Sequence, residues 1–117
     1  MNKQTVDSRQ HAGKESFFAE IQRIEQRKKD ELTKPSPYVA HRAEIFGCYS
    51  TALRLQDLIL HLYNQDNQMD LGRFLGNADE KHVEIALDII RRYSILGEND
   101  KEFMTTAQEL QERRAAA

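Results

Sequence analysis

Four histidines and one cysteine are the residues of this 117-residue chain best suited to chemistry, and their spacing decides what they could do. The histidines stand at 11, 41, 61 and 82. No two are three or four residues apart, the spacing that puts two metal ligands on one helical face. Asp57 and His61 do have that spacing. It fits a ligand pair, and equally a carboxylate–imidazole pair on a helix surface, and the solvated pair is the preferred reading. His82 reads as a boundary residue near a helix start. Cys48 falls in the apolar range of its helix, one turn from Ala52, and reads as small, buried and inert rather than nucleophilic. A single cysteine also excludes an intrachain disulfide. Gly72, Gly76 and Gly97 do not build a phosphate-cradling loop, and no Ser-His-Asp, paired-carboxylate or zinc-hydrolase pattern accompanies them. The expectation is a protein that is not an enzyme, with no cofactor and no metal.

Gln56 is the most informative polar residue, because it falls amid Ile45, Tyr49, Leu60 and Tyr63 on a wide apolar face. A buried amide left without partners costs on the order of 1–3 kcal/mol. It either bonds Tyr49, Tyr63 or a backbone carbonyl within the fold, the favoured reading, or specifies a helix–helix interface, self-association included. The candidate protein interface comprises Phe17, Ile21, Ile24, Gln56, Tyr49 and Tyr63. Residues 70–93 offer a rival: a short helix, a tight turn and a longer helix, the outline of a helix-turn-helix. Its nucleic-acid contacts would be Lys81, Arg91 and Arg92, with Arg27, Lys28 and Lys29 beside them. Yet the would-be recognition helix opens with Asp79, Glu80 and Glu84 against Lys81 and His82, and Asp30 and Glu31 follow the basic triplet at once. Carboxylates facing phosphates weaken binding, so the electrostatics argue against nucleic acid as a partner.

These residues need elements to hold them. Residues 1–14 are polar and aperiodic and read as a flexible, disordered arm. Glu15–Leu32 reads as a helix with Phe17, Ile21, Ile24 and Lys28 on one narrow stripe, a face to be buried as an amphipathic cover. The spacing also fits a short coiled-coil seam, but two heptads are too few to claim one. Pro35 breaks it, and Ser36-Pro37 has the form of a cap followed by proline at the first helical position. The helix restarting there closes at the polar gap Asn64–Asp70. From Ile45 to Tyr63 its apolar residues cover about two thirds of the circumference, where a surface helix needs about 100°. Before Ile45, His41, Arg42 and Glu44 are out of phase, so the helix bends near Gly47 or its first turns project. Asp70 caps a short helix, Leu71–Leu75, and Asn77 with Glu80 has capping-box spacing. The third long helix turns Val83, Ala86, Leu87, Ile89, Ile90 and Tyr93 inward and stops at Gly97, with Arg91 and Arg92 suiting its dipole. Asn99 and Glu102 repeat the box ahead of a last helix, Asp100–Arg113, with Phe103, Ala107 and Leu110 as its stripe.

Composition bounds the rest. With 39% hydrophobic and 31% charged residues, the chain can bury one core and has no reason to be disordered throughout. Five glycines and two prolines are too few for a multi-turn β fold. A net charge of -2 lacks the overall attraction of a dedicated nucleic-acid binder. No run approaches the roughly 18 apolar residues of a membrane span, and the start has no apolar signal core, so a cytoplasmic setting without membrane is the default. The fold class read from all this is all-α: an irregular bundle of four main helices plus one short helix. It forms a single domain over 15–114, with 115–117 an expression remnant.

The stretch 55–90 carries His61-Leu62-Tyr63-Asn64 after Leu60, then Asp70-Leu71 and Ala78-Asp79. It resembles a family of small domains encoded by plasmids and integrative elements, a family with no established activity. That resemblance implies an accessory role for a mobile element, with Asn64 ending the central helix and Asp70 and Asp79 as caps. Small phage- or plasmid-borne inhibitors of host defence, anti-CRISPR proteins among them, share the size and the lack of motifs. The function expected is a non-catalytic protein-binding module, a small adaptor, regulator or inhibitor. If the apolar girth of the central helix exceeds what three neighbours cover, a homodimer follows.

Overall fold

A computed structural model describes residues 15–117 in full and residues 2–14 by their backbone course alone. The arm expected over 1–14 lies outside the fully described residues. Contacts divide the chain into two compact units, Met1–Thr33 and Lys34–Ala117, where the sequence reads one domain over 15–114. The first unit is a single helix, α1 (Asn2–Thr33). It stops as expected before Pro35, which bars the helical region to Lys34. The Thr33 hydroxyl donates to the Asp30 carbonyl at 2.6 Å, occupying one acceptor that the helix end leaves open. Phe17, Ile21 and Ile24, expected on a buried face, are exposed along it, because this helix forms a unit by itself.

The second unit opens with Ser36 ahead of Pro37, as its sequence dictates, but the helix that starts there is short. Two single turns, α2 (Pro37–Ala40) and α3 (Arg42–Ile45), meet at His41, and the central helix α4 begins only at Ser50 and runs to Tyr63. The continuous helix expected over Ile45–Tyr63 is therefore broken at Phe46–Tyr49. The reason is local. A Cβ at Gly47 would lie 2.5 Å from the Tyr49 ring, so only glycine lets that ring fold back over the turn. Breaking the helix strands the carbonyls of Ile45 and Gly47, and the Gln56 amide donates to both, at 2.9 and 3.2 Å.

Once started, α4 is the axis of this unit. Ala52, Leu55, Gln56, Leu58, Ile59 and Leu60 are buried on it, and α3, α5, α6 and α7 pack around them. Leu53 is the apolar residue it leaves most exposed. Asn64 ends α4. Asp70 accepts from the Arg73 amide at 3.0 Å and caps α5 (Leu71–Asn77), whose buried anchor is Phe74. The next cap is Asp79 and not Asn77: Asp79 accepts from the His82 amide, while Asn77 closes α5 by donating to the Arg73 carbonyl. The α6 helix (Glu80–Leu96) buries Ile85, Ala86, Ile89, Arg92 and Leu96. Leu87 and Ile90, expected inward, are exposed. The helix is apolar on several sides, and the phase is settled by Arg92, which takes a core position.

What lets a guanidinium sit there is the turn that follows. Gly97, at φ 58°, ends α6 in the left-handed region, and the chain doubles back through a 3₁₀ turn (Gly97–Asn99). This delivers Asp100, eight residues on, to Arg92 at 2.5 Å from Nε and 3.3 Å from a terminal nitrogen, both side chains 3% exposed. The same Asp100, and not Asn99, caps α7 (Lys101–Ala116) by accepting from the Glu102 amide at 3.2 Å. Along α7, Phe103, Ala107 and Leu110 are buried as expected. Phe103 gathers Tyr38, Tyr63 and Tyr93 around it, with ring centres 6.0, 6.4 and 5.0 Å away. The buried Tyr38 hydroxyl finds no hydrogen-bond partner among the described residues. Burial, and after it the charge of Asp100, hold that phenol far above its ordinary pKa.

Removing one partner of a buried, hydrogen-bonded pair leaves the other charge uncompensated. Arg92→Met should therefore destabilise the protein by about 3–5 kcal/mol in urea unfolding, and adding Asp100→Asn should recover part of that loss. A cost below about 1 kcal/mol for the single variant would mean that the pair is as inconsequential as a surface one.

Candidate functional site

Three polar side chains meet where the α3–α4 turn faces the start of α6. Asp79, at the α6 cap, accepts from the His82 ring at Nδ1 (2.6 Å) as well as from its amide (2.9 Å). On the far side of the ring, Nε2 lies 2.6 Å from the Tyr49 hydroxyl, with the two rings edge to face. A carboxylate holding the proton on Nδ1 leaves Nε2 to accept from the phenol. The order carboxylate, imidazole, hydroxyl is that of a nucleophile with its base. Burial first, then the charges of Glu44 and Asp79, raise the phenol's pKa above its ordinary value. The trio is a clasp that pins the turn to α6. Beside it Lys81 meets Glu44 at 2.7 Å and ties α6 to α3 as well.

A second polar group fastens the same turn to α7. Arg42 and Arg113 both lie over the Phe46 ring, 4.1 and 4.5 Å from its centre, and both reach Glu109, at 2.7 and 3.6 Å. One residue on, Arg114 pairs with Asp57 at 2.8 Å and donates to the Leu53 carbonyl at 3.1 Å. The Asp57–His61 surface pair expected from spacing is thus not formed. Asp57 turns to Arg114, and the His61 ring donates from Nδ1 to the Asn67 carbonyl at 2.7 Å. Among the described residues no three His, Cys, Asp or Glu side chains converge as a metal site would require. A shallow groove of about 280 Å³ is lined by Tyr38, Val39, Arg42, Lys101, Glu102, Thr105 and Thr106. Cys48, expected buried, is exposed, because the helix that would have turned it inward is interrupted there.

The proposed interface residues separate into two kinds. Phe17, Ile21 and Ile24 line α1 and are exposed, and Phe18 beside them is exposed too, a neighbour that the narrow stripe left out. Tyr49 is exposed but engaged in the clasp. Gln56 is buried on the Ile45 and Gly47 carbonyls, the backbone bonding favoured for it from the sequence, and Tyr63 is half-buried and packs against the core. The candidate nucleic-acid contacts are dispersed. Arg92 is inside, Lys81 is on Glu44, Arg91 is on Asp88 and Lys28 reaches Glu25. Arg27 and Lys29 are exposed, on α1. In the second unit, Leu71 and Leu75 on α5 and Leu87 and Ile90 on α6 are also exposed. No protein-family model, no curated protein and no solved structure matches the chain.

Gln56→Leu strands two backbone carbonyls and should cost about 1–3 kcal/mol on urea unfolding without changing the oligomeric state. A change in association at unaltered stability would return Gln56 to an interface. The pH dependence follows from three carboxylates. Lys81 holds Glu44, the His82 amide holds Asp79, and Arg42 holds Glu109 below their usual ranges. Folded values below unfolded ones stabilise above the unfolded range and lose that contribution as pH falls through the folded values. An acid titration followed by circular dichroism should show stability declining below about pH 4 and unaffected by these groups between about 6 and 8.

Proposed function

We propose that this protein is a non-catalytic protein-binding module, a small adaptor, regulator or inhibitor of bacterial, phage or mobile-element origin that acts through exposed helical surface. One observation carries the reading. In α1, Phe17 and Phe18 are 63% and 64% exposed, and Ile21 and Ile24 41% and 46%. A helix in water takes most of its stability from packing an amphipathic face, and a contiguous apolar stripe rimmed by charge marks a contact site. The polar clusters support the same view, since each is consumed in fastening helices to one another and leaves no reactive group poised. An accessory role for a mobile element, including inhibition of a host defence, fits a module that works by occlusion. Nucleic acid is the poorer partner, with Arg92 buried and Lys81 paired.

The test is a photo-cross-linking residue at position 17 in the native host. A discrete adduct at 17 and none at the exposed, polar position 94 is expected; chain without adduct at both positions would defeat the reading. A gel shift with random duplex at about 50 mM salt should show no complex, since a phosphate-contacting protein binds best there.

A further inference from the structure

The stripe on α1 has a heptad spacing, Phe17, Ile21, Ile24 and Lys28, and the charges beside it discriminate between ways of covering it. Glu20 and Arg27 are exposed and flank the seam on one side, while Glu25 flanks it on the other. In a parallel pair of these helices, in register, Lys28 would face Lys28 of the partner subunit across the seam, and Glu20 would face Glu25 of the partner subunit. Both contacts repel. Reversing one helix, with Ile21 opposite Ile24 of the partner subunit, changes every one of those neighbours. Glu20 then faces Arg27 of the partner subunit, and symmetry makes that pair twice. Lys28 comes over Phe17 of the partner subunit, also twice, where an ammonium is attracted to the ring face. The two isoleucine layers lie at the centre, and Phe18 extends the apolar edge.

We propose that α1 pairs antiparallel with α1 of a second copy of this chain, Glu20 of each copy against Arg27 of the other. This inference rests on the α1 stripe being the binding surface proposed above, and names its occupant. The buried seam is short, so the dimer is weak and forms in the micromolar range or above.

Sedimentation of the full chain from about 10 μM to about 1 mM tests it, a range spanning the affinities expected of so small an interface. A concentration-dependent dimer is expected, lost in Ile21→Ser/Ile24→Ser, two changes at exposed positions that leave the second unit intact. Glu20→Lys should weaken the dimer roughly tenfold by setting like charges together twice, and Glu20→Lys/Arg27→Glu should restore it. Tighter association of Glu20→Lys would mean a parallel pair and overturn the assignment. A dimer indifferent to the isoleucine changes would overturn it too, by placing the contact elsewhere. A monomer at every concentration would exclude self-pairing, and the mass of the adduct at position 17 then separates the two ideas. An adduct with a different protein leaves the binding module standing, and no adduct removes both.

Discussion

A guanidinium at 3% exposure has lost nearly all its water, and its position on α6 is tenable only because a carboxylate is brought to it. Much of the second unit follows from that requirement. The left-handed Gly97 turns the chain sharply enough for Asp100 to reach back, and the same carboxylate then caps the helix it begins. α7 therefore leaves the turn in a direction set by an ion pair. That direction lays Phe103 under Tyr93, Tyr63 and Tyr38 and brings Arg113 and Arg114 to the α4 side of the unit. Well-packed apolar residues could stabilise the site as much as the pair does. The pair adds geometry: its fork admits one approach of α7 to α6.

The other organising constraint is the break before α4. A helix interrupted inside a protein exposes carbonyls to apolar surroundings, and the interruption persists only where something replaces the lost amides. Gln56 does so from two turns further along α4, so the residue that looks misplaced on an apolar face is the one that makes the break stable. The turn it supports is then held from two sides, by His82 through Tyr49 and by Arg42 and Arg113 through Phe46. A short irregular segment thereby becomes the place where α3, α4, α6 and α7 are joined.

The all-helical class, the four main helices with one short one, the proline break and the glycine stop are all legible in the sequence, because proline, glycine and the 3.6-residue period act locally. The interruption at Gly47 is half legible. Arg42 and Glu44 fall out of phase ahead of it, but the cause is a tyrosine ring folding over a glycine, which no period records. The caps slip for a similar reason. Asn77 with Glu80 and Asn99 with Glu102 have the right spacing, yet an aspartate stands close by at 79 and at 100 and takes the role with a full charge. Arg92 is misread because an arginine near a helix end suits solvent equally well, and its partner lies beyond a turn. The spacing of Phe17, Ile21 and Ile24 places them along one helix, but a period cannot tell whether that face is covered, and all three are exposed. For Gln56 the favoured reading, a bond to a backbone carbonyl within the fold, is the one formed, although the same pattern on an apolar face would also suit a residue buried between units.

The aromatic cluster around Phe103 has a consequence for how this protein can be observed. The chain has no tryptophan and four tyrosines, and three of those surround one buried phenylalanine that joins α2, α4, α6 and α7. Its ultraviolet optical activity above the peptide bands therefore originates mainly at the junction of four helices. The fourth tyrosine, hydrogen-bonded to His82, carries a separate signal from the turn. A state that kept its helices but loosened their packing would lose the first signal while the peptide bands stayed near native strength. The molecule thus contains its own spectroscopic distinction between being helical and being folded.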